Sequence, residues 1–379
     1  MTAPTAAPTI PFVARILCAM SGGVDSGVAA LLLKEAGHEV LGVFMRLGEK
    51  VGADAARPAG ADSRSGKRPR GCCSVEDARD AALVASRLEI PFYAMNYQEE
   101  FGRIVDYFVD EYHRGRTPNP CARCNQWLKF GSLRERARAL RCDAVATGHY
   151  ARIETAGGSA RLLRAADSAK DQSYFLFLME REALGETLFP VGDFSKADVR
   201  ALARRHGLPV ADKPDSQEIC FVPGDYREVL SAHGADRIRP GRFVDRAGRD
   251  LGGHGGHQNF TIGQRRGLGM AFGEPRYVVA IEPERNEVVI GAREHLSVST
   301  ASLDEVRWVS IADPAPGETI EAEVQIRHRH RAVPARVSVE GHAAARVEFL
   351  QPVEAVTPGQ AAVFYRGLVL LGGGWIRSN

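Results

Sequence analysis

Residues 15–26, Arg15-Ile-Leu-Cys-Ala-Met-Ser-Gly-Gly-Val-Asp-Ser26, decide how the rest of the chain is read. Ile16 to Met20 is a short apolar run bounded by turn residues, the pattern of a buried strand. Ser21-Gly22-Gly23 breaks it, and Val24 to Glu35 then reads as a helix that Gly37 is placed to end. A strand, a glycine turn and a helix start together make an anion site. Glycines let backbone N–H groups face a phosphate, and the helix N-terminus adds partial positive charge. Ser21 and Ser26 add hydroxyl donors. Asp25 is out of place beside a phosphate unless a cation such as Mg²⁺ lies between them. The Gly-Lys-Ser/Thr ending of a Walker-type loop is missing, and so is the GxGxxG dinucleotide pattern.

Outward from this loop, His38 to Leu47 reads as a second strand, Ile90 to Asn96 as a third and Asp143 to Thr147 as a fourth. Helices are expected from Ser74, with Asp77 completing a capping box, to Leu88 and from Glu99 to Arg114. Another is expected from Gln126 to Leu140, after a loop over Thr117 to Asn125. Strands alternating with helices predict an α/β, doubly wound parallel sheet whose ligands gather at the carboxyl ends of the strands. The phosphate loop, Met45, the Thr117 loop and Gly148-His149 all leave from such ends. Ala151 to Ala165 reads as a hairpin, Ser195 to His206 as a helix capped by Asp198, and Pro209 to Pro223 as a loop carrying Cys220. Beyond Pro240 short alternating segments and Gly/Pro turns predict mostly β structure. The expected organisation is a tail (1–11), an α/β domain (12–217) with an insertion at 48–71, a small mostly-β module (218–295) and a C-terminal β-barrel (296–379). The insertion ends in the basic run Lys67-Arg-Pro-Arg70, either an RNA contact or a solvated linker.

Composition sets the class. The chain has 379 residues, 44% apolar and 25% charged, with a net charge of +2. These are the proportions of an ordinary soluble protein, and the charge neither demands nor excludes nucleic acid. No apolar run approaches the ~20 residues of a membrane span. The Ala/Thr/Pro-rich start has neither the basic nor the apolar region of a signal peptide, so a cytoplasmic location is expected. Seven cysteines without a secretion signal argue against a structural disulfide framework. Cys18 and Cys142 read as packing residues, and adjacent Cys72 and Cys73 receive no role.

Two cysteine loops remain. Thr117-Pro-Asn-Pro-Cys-Ala-Arg-Cys-Asn125 is stiffened by prolines and presents Cys121 and Cys124, the latter at an expected helix start where the dipole favours thiolate. Lys213-Pro-Asp-Ser-Gln-Glu-Ile-Cys-Phe221 presents Cys220. Ser-Gly-Gly-Val-Asp-Ser resembles the loop of the ATP pyrophosphatase family. With TPNPxxxCN, ATGHY, KDQSYFL, DSQEICF, TIGQRRGLG, VTPGQAAVFY and LGGGWI in series from Ser21 to Ile376, the chain is similar to the bacterial tRNA-uridine 2-sulfurtransferases, the tRNA-specific 2-thiouridylases.

That resemblance implies ATP, with Mg²⁺, adenylating O2 of the wobble uridine of tRNA and releasing pyrophosphate. It implies Cys220 as carrier of a persulfide received from a sulfur-relay protein or cysteine desulfurase. Cys124 is then the nucleophile, either on the persulfide or toward the activated ring, and a transient Cys124–Cys220 disulfide remains after AMP leaves. ATP would lie on Ala19, Met20, Ser21, Gly22, Gly23, Val24, Asp25 and Ser26, with Met45 and Gly148 near the adenosine. Asn119, Pro120 and Cys121 would meet the target base. His149, Lys170, Asp171, Gln172, Arg327, His328 and Gln360 would contact tRNA, Arg327 and His328 within the densest basic cluster, in a strand-like segment. Where many members of the family have Asp, this chain has Cys121. That change opens an alternative in which Cys121, Cys124 and Cys220 hold a [4Fe–4S] cluster that delivers sulfide. A rival of another kind is a pyrophosphatase-loop synthetase with a different acceptor, which would have no need of paired cysteines. A third is a non-catalytic RNA-binding protein, against which the intact Ser21 to Ser26 argues.

Overall fold

A computed structural model describes residues 13–48, 74–156, 158–215, 219–222 and 224–377. The expected tail, all but Gly48 of the expected insertion, and Cys72 and Cys73 lie outside the described residues.

The first domain begins β1 (Arg15–Ala19), α1 (Val24–Glu35), β2 (Glu39–Arg46), α2 (Val75–Arg87), β3 (Phe92–Asn96) and α3 (Gln98–His113). It continues with α4 (Pro120–Arg123), a π-helix over Cys124–Ser132, α5 (Leu133–Ala139), β4 (Ala144–Thr147), the hairpin β5 (Ala151–Ala156) and β6 (Ser159–Arg164), α6 (Arg181–Leu184), β7 (Thr187–Leu188) and α7 (Lys196–Arg205). The sheet runs β3-β2-β1-β4-β7 with every pairing parallel, as the alternation of strands and helices predicts. It is covered on both faces. α1, α2 and α7 bury Val28, Val84 and Val199 on one side with Ile16 and Cys18. α3, the π-helix and α5 bury Ile104, Leu128 and Leu133 on the other with Leu17 and Val43. A strand covered on both faces needs no alternation, and β2 is buried from Val40 to Phe44 without a break. Each fully buried aliphatic or aromatic side chain contributes about 1.5–3 kcal/mol. α2 and α7 begin with the capping boxes that Ser74/Asp77 and Ser195/Asp198 predict.

α8 (Tyr226–Gly234) packs on α3 and leads into a four-stranded sheet of β8 (Gly241–Asp245), β9 (Asp250–His254), β10 (Tyr277–Glu282) and β11 (Glu287–Gly291), in the order β10-β11-β8-β9. The chain ends in a barrel. β12 (Ser297–Trp308), β15 (Ala344–Glu354), β14 (Val333–Gly341), β13 (Thr319–Gln325), β16 (Ala361–Arg366) and β17 (Val369–Ile376) follow one another around it, and β17 closes on β12. The first-domain hairpin β5–β6 is added to this sheet through Leu163 opposite Val369. Between barrel and first domain lies a core of Ala122, Phe130, Tyr174, Phe177, Tyr365 and Trp375. Among the described residues no helix is long and apolar enough to cross a membrane.

Candidate active site

The loop after β1 is held by its neighbours. Gly22 has φ +73°, and a Cβ there would stand 2.2 Å from the Asp77 carbonyl oxygen, so glycine alone fits. Ser26 Oγ accepts from the Ser21 amide at 3.1 Å and donates to the Gly23 carbonyl at 3.1 Å. α1 has Gly23 as its N-cap and lacks the side-chain cap that α2 and α7 possess, so its first amides keep the donor capacity an anion needs. Gly148, at the end of β4, packs on the same loop; a Cβ would come within 2.6 Å of the Ser26 amide nitrogen. Ala19, Met20 and Val24 are buried supports of the loop.

The cation facing Asp25 comes from the protein. Lys196 Nζ reaches both Asp25 oxygens, at 2.7 and 2.8 Å, and the Tyr150 hydroxyl donates to Oδ1 at 2.7 Å. Burial, then the adjacent Asp25 charge, drives the Tyr150 pKa upward, so the phenol stays a donor. Lys196 also meets Asp215, which Lys170 and Arg200 share, each at 2.8 Å. Burial alone would raise the Asp215 pKa, but the Lys170 and Lys196 ammoniums outweigh it and hold the carboxyl at about 2. Lys213 Nζ donates to the Gly22 carbonyl and to Asp77, both at 2.8 Å. Sequence reading missed Lys196, Lys213, Asp215, Arg200 and Tyr150 as parts of this site. Their only signal was position: Tyr150 closes ATGHY, and Lys213 and Asp215 begin the Cys220 loop.

The cysteine loop differs from expectation. Its helix starts at Pro120, not Gln126, because Asn119 is an N-cap whose Oδ1 accepts from the Ala122 amide at 3.2 Å and Pro120 suits the first turn. Cys124 therefore lies one turn in and opens the π-helix, a wide turn that re-aims side chains. Asn119 and Pro120 are buried, while Cys121 is exposed. Cys124 and Cys220 pack against one apolar cluster, together with Met45. Phe221 anchors the Cys220 segment there, edge-on to Phe101 and Phe108 at 5.6 and 5.1 Å. Ala19, the residue that leads into the phosphate loop, belongs to the same cluster. Among the described residues no three His, Cys, Asp or Glu side chains are gathered to hold a metal ion. Cys121, Cys124 and Cys220, the ligands of the alternative reading, are not gathered in this way among those residues. Cys121 faces solvent while the other two are half-buried. Cys18 and Cys142 are buried, and burial pushes the Cys18 thiol up to about 12.

The residues expected on the RNA side have protein partners. His149 Nδ1 meets Thr147 Oγ1 at 2.6 Å and Nε2 meets Lys129 Nζ at 3.2 Å. Burial, then Lys129, holds the imidazole pKa well below its usual value, so the ring is neutral with Nε2 accepting. Asp171 accepts from Arg164, the Ala165 amide and the Ser173 hydroxyl, and Gln172 Oε1 accepts from the Tyr150 amide. Gln360 donates to the carbonyls of Thr117 and Pro118, at 3.0 and 3.2 Å, tying the barrel to the cysteine loop. Arg327 and His328 lie in a turn between β13 and β14 rather than in a strand. Arg329 has φ +66° in that turn, a left-handed backbone foreign to a strand. Arg327 is exposed, and the His328 ring stands 4.7 Å from Phe175.

Comparison with known proteins accords with this geometry. Residues 14–224 match the family described as tRNA methyl transferase HUP domain, 227–292 its PRC-barrel domain, and 298–376 the aminomethyltransferase beta-barrel domain. The tRNA-specific 2-thiouridylase MnmA of Geotalea uraniireducens is 48% identical, over 96% of this chain and 94% of the relative. The protein of the same name from Geobacter metallireducens is 50% identical, over 96% of each. Among solved structures, NMN synthetase from Francisella tularensis superposes with a TM-score of 0.32 and 16% identity, covering 57% of this chain and 75% of that one. That last likeness carries no functional argument.

Proposed function

The chain belongs to the tRNA-specific 2-thiouridylase family, and we propose that it exchanges O2 of the wobble uridine of tRNA for sulfur through an adenylate and a cysteine persulfide. The observation that carries the reading is that Cys124 and Cys220 pack against one apolar cluster, which also contains Ala19 next to the phosphate loop.

Uridine O2 is a poor leaving group. Its attack on the α-phosphorus of ATP forms an O–P bond, expels pyrophosphate and turns that oxygen into part of a good leaving group, AMP. The uncapped amides of α1 and the Ser21 hydroxyl suit the polyphosphate, while Ser26, Gly22 and Gly148 hold the loop in shape. A bound Mg²⁺ would neutralise charge on the departing pyrophosphate. Lys196 holds Asp25 and keeps its carboxylate from swinging toward the phosphates.

The sulfane sulfur on Cys220, supplied by a relay protein or cysteine desulfurase, is then transferred. The C2–S bond forms, the C2–O bond to AMP breaks, and the sulfur–sulfur bond to Cys220 is cleaved by the Cys124 thiolate. The sulfane sulfur gains two electrons, and Cys124 and Cys220 lose two as a disulfide that an external thiol must reduce. A disulfide needs Cα atoms within ~7 Å, so the two segments must close on each other. Lys170, Arg327, His328 and Gln360 would serve the tRNA through charge and polar contacts, Lys170 and Gln360 by exchanging the protein partners they now hold.

The test is mass spectrometry of the wobble nucleoside after reaction with ATP, tRNA and a persulfide donor, with iron assayed in anaerobically purified protein. We expect the mass gain of an oxygen-to-sulfur exchange from iron-free protein, with pyrophosphate released only when unmodified tRNA is present. Thiolation only by iron-loaded protein would establish the cluster route instead.

A further inference from the structure

Between the paired cysteines of Cys121-Ala-Arg-Cys124 lies an arginine that the sulfur chemistry does not use. Arg123 is only 6% exposed, and a guanidinium cannot shed its proton, so its burial demands partners. Nη1 and Nη2 donate to the two carboxylate oxygens of Glu305, each at 2.7 Å, and Nη1 also reaches Gln126 Oε1 at 2.8 Å. Three rings wall the guanidinium, with centroids 5.1 Å (Tyr107), 4.9 Å (Trp127) and 4.7 Å (Trp375) from its central carbon. Tyr107 and Trp127 belong to the first domain; Trp375 and Glu305 belong to the barrel.

Glu305 is shaped for the contact. It has φ +47° inside β12, where the register to β17 shifts between Asp304 and Arg307. A non-glycine residue in the left-handed region persists only where its surroundings hold it, and a bulge re-aims a side chain out of the strand's alternation. The Glu305 side chain is 52% exposed, which makes the pair a weak source of stability. A two-pronged guanidinium–carboxylate contact does fix orientation. Gln360 adds a second barrel contact to the same loop, on the carbonyls of Thr117 and Pro118.

We propose that the Arg123–Glu305 pair is a positioning device through which the C-terminal barrel sets the Cys124 turn for sulfur transfer. It rests on the reading of Cys124 as the nucleophile. The barrel thereby governs the sulfur step, while among the described residues the contacts named around Ser21 to Ser26 come from the first domain and the Lys213–Asp215 segment.

The test uses the full-length protein carrying Glu305→Ala or Arg123→Lys, the second keeping a cation under the rings while losing the fork. Single-turnover sulfur transfer to tRNA from persulfide-loaded protein should fall about tenfold or more in Glu305→Ala and by less in Arg123→Lys. In both variants tRNA-dependent pyrophosphate release and the KM for tRNA should stay within about twofold. Wild-type sulfur transfer in both variants overturns the proposal. So does pyrophosphate release that falls in step with sulfur transfer, which would mark a merely structural pair. Cys124→Ser separates the two claims: if it transfers sulfur at the wild-type rate, the nucleophile itself is misassigned.

Discussion

The two ends of the site are built on opposite principles. The phosphate end is a contiguous run, Ser21 to Ser26, braced by charge: Lys196 on Asp25, Lys213 on Gly22 and Asp77, and Asp215 beneath three cations. The thiol end is assembled from segments nearly a hundred residues apart and rests on apolar and aromatic packing, with Arg123 as its buried cation. Charge and fixed amides suit the step in which phosphate charge shifts. On the proposed mechanism, a half-buried apolar seat suits a step in which two sulfurs must approach and separate.

The contrast can be broken most directly by separating the two steps. Cys220→Ser should lower thiolation at least about 10³-fold while sparing tRNA-dependent pyrophosphate release. Asp25→Ala should lower both by about 10²-fold, because the helix start loses its Lys196 tie. If Cys220→Ser thiolates tRNA from the same donor at the wild-type rate, the sulfur carrier lies elsewhere. A smaller effect sharpens the charge-bracing claim. Lys213→Met removes the charge-assisted bonds to the Gly22 carbonyl, Asp77 and Asp80; the Gly22 bond alone is worth about 1.5 kcal/mol, so the KM for ATP should rise about tenfold or more. Alkylation of Cys124 should keep its wild-type rate; a parallel change would mean that the two ends are not independent.

The smallest effect is read in acid. Asp215 is held at about 2 against an ordinary 3.8. Its folded pKa lies below its unfolded one, so its stabilisation is complete above about pH 5 and is lost as pH falls through 4 toward 2. It amounts to at most about 2 kcal/mol. The stability difference between wild type and Asp215→Asn should be constant from pH 7 to 5 and shrink below pH 4; a constant difference down to pH 2 would refute the assignment.

What could be read in advance followed the same division. The strand, glycine turn and helix of residues 15–35 are local, and the capping boxes at Ser74 and Ser195 are spelled out within four residues. The parallel sheet followed from alternation. The helix start at Pro120 was misplaced because the prolines of Thr117-Pro-Asn-Pro120 read as loop, when Asn119 and Pro120 together make a good first turn. Arg327 and His328 were assigned to a strand because alternation cannot register a turn that depends on one left-handed residue, Arg329. Lys196 and Glu305 were invisible for a different reason. Each meets its partner, Asp25 or Arg123, across more than 170 residues, as their separations of 171 and 182 record, and no local pattern marks such a pairing.

The core that joins barrel to first domain has a consequence for synthesis. Tyr174 and Phe177 leave the ribosome long before Ala361, Tyr365 and Trp375, the residues that cover them. At the usual pace of translation, that interval is roughly 10–40 s. Throughout it the nascent first domain carries an unclosed greasy face, and the edge of β6 awaits its strand. A stop codon just ahead of the barrel would make that interval permanent, leaving a polypeptide with an intact nucleotide fold and a strong tendency to clump.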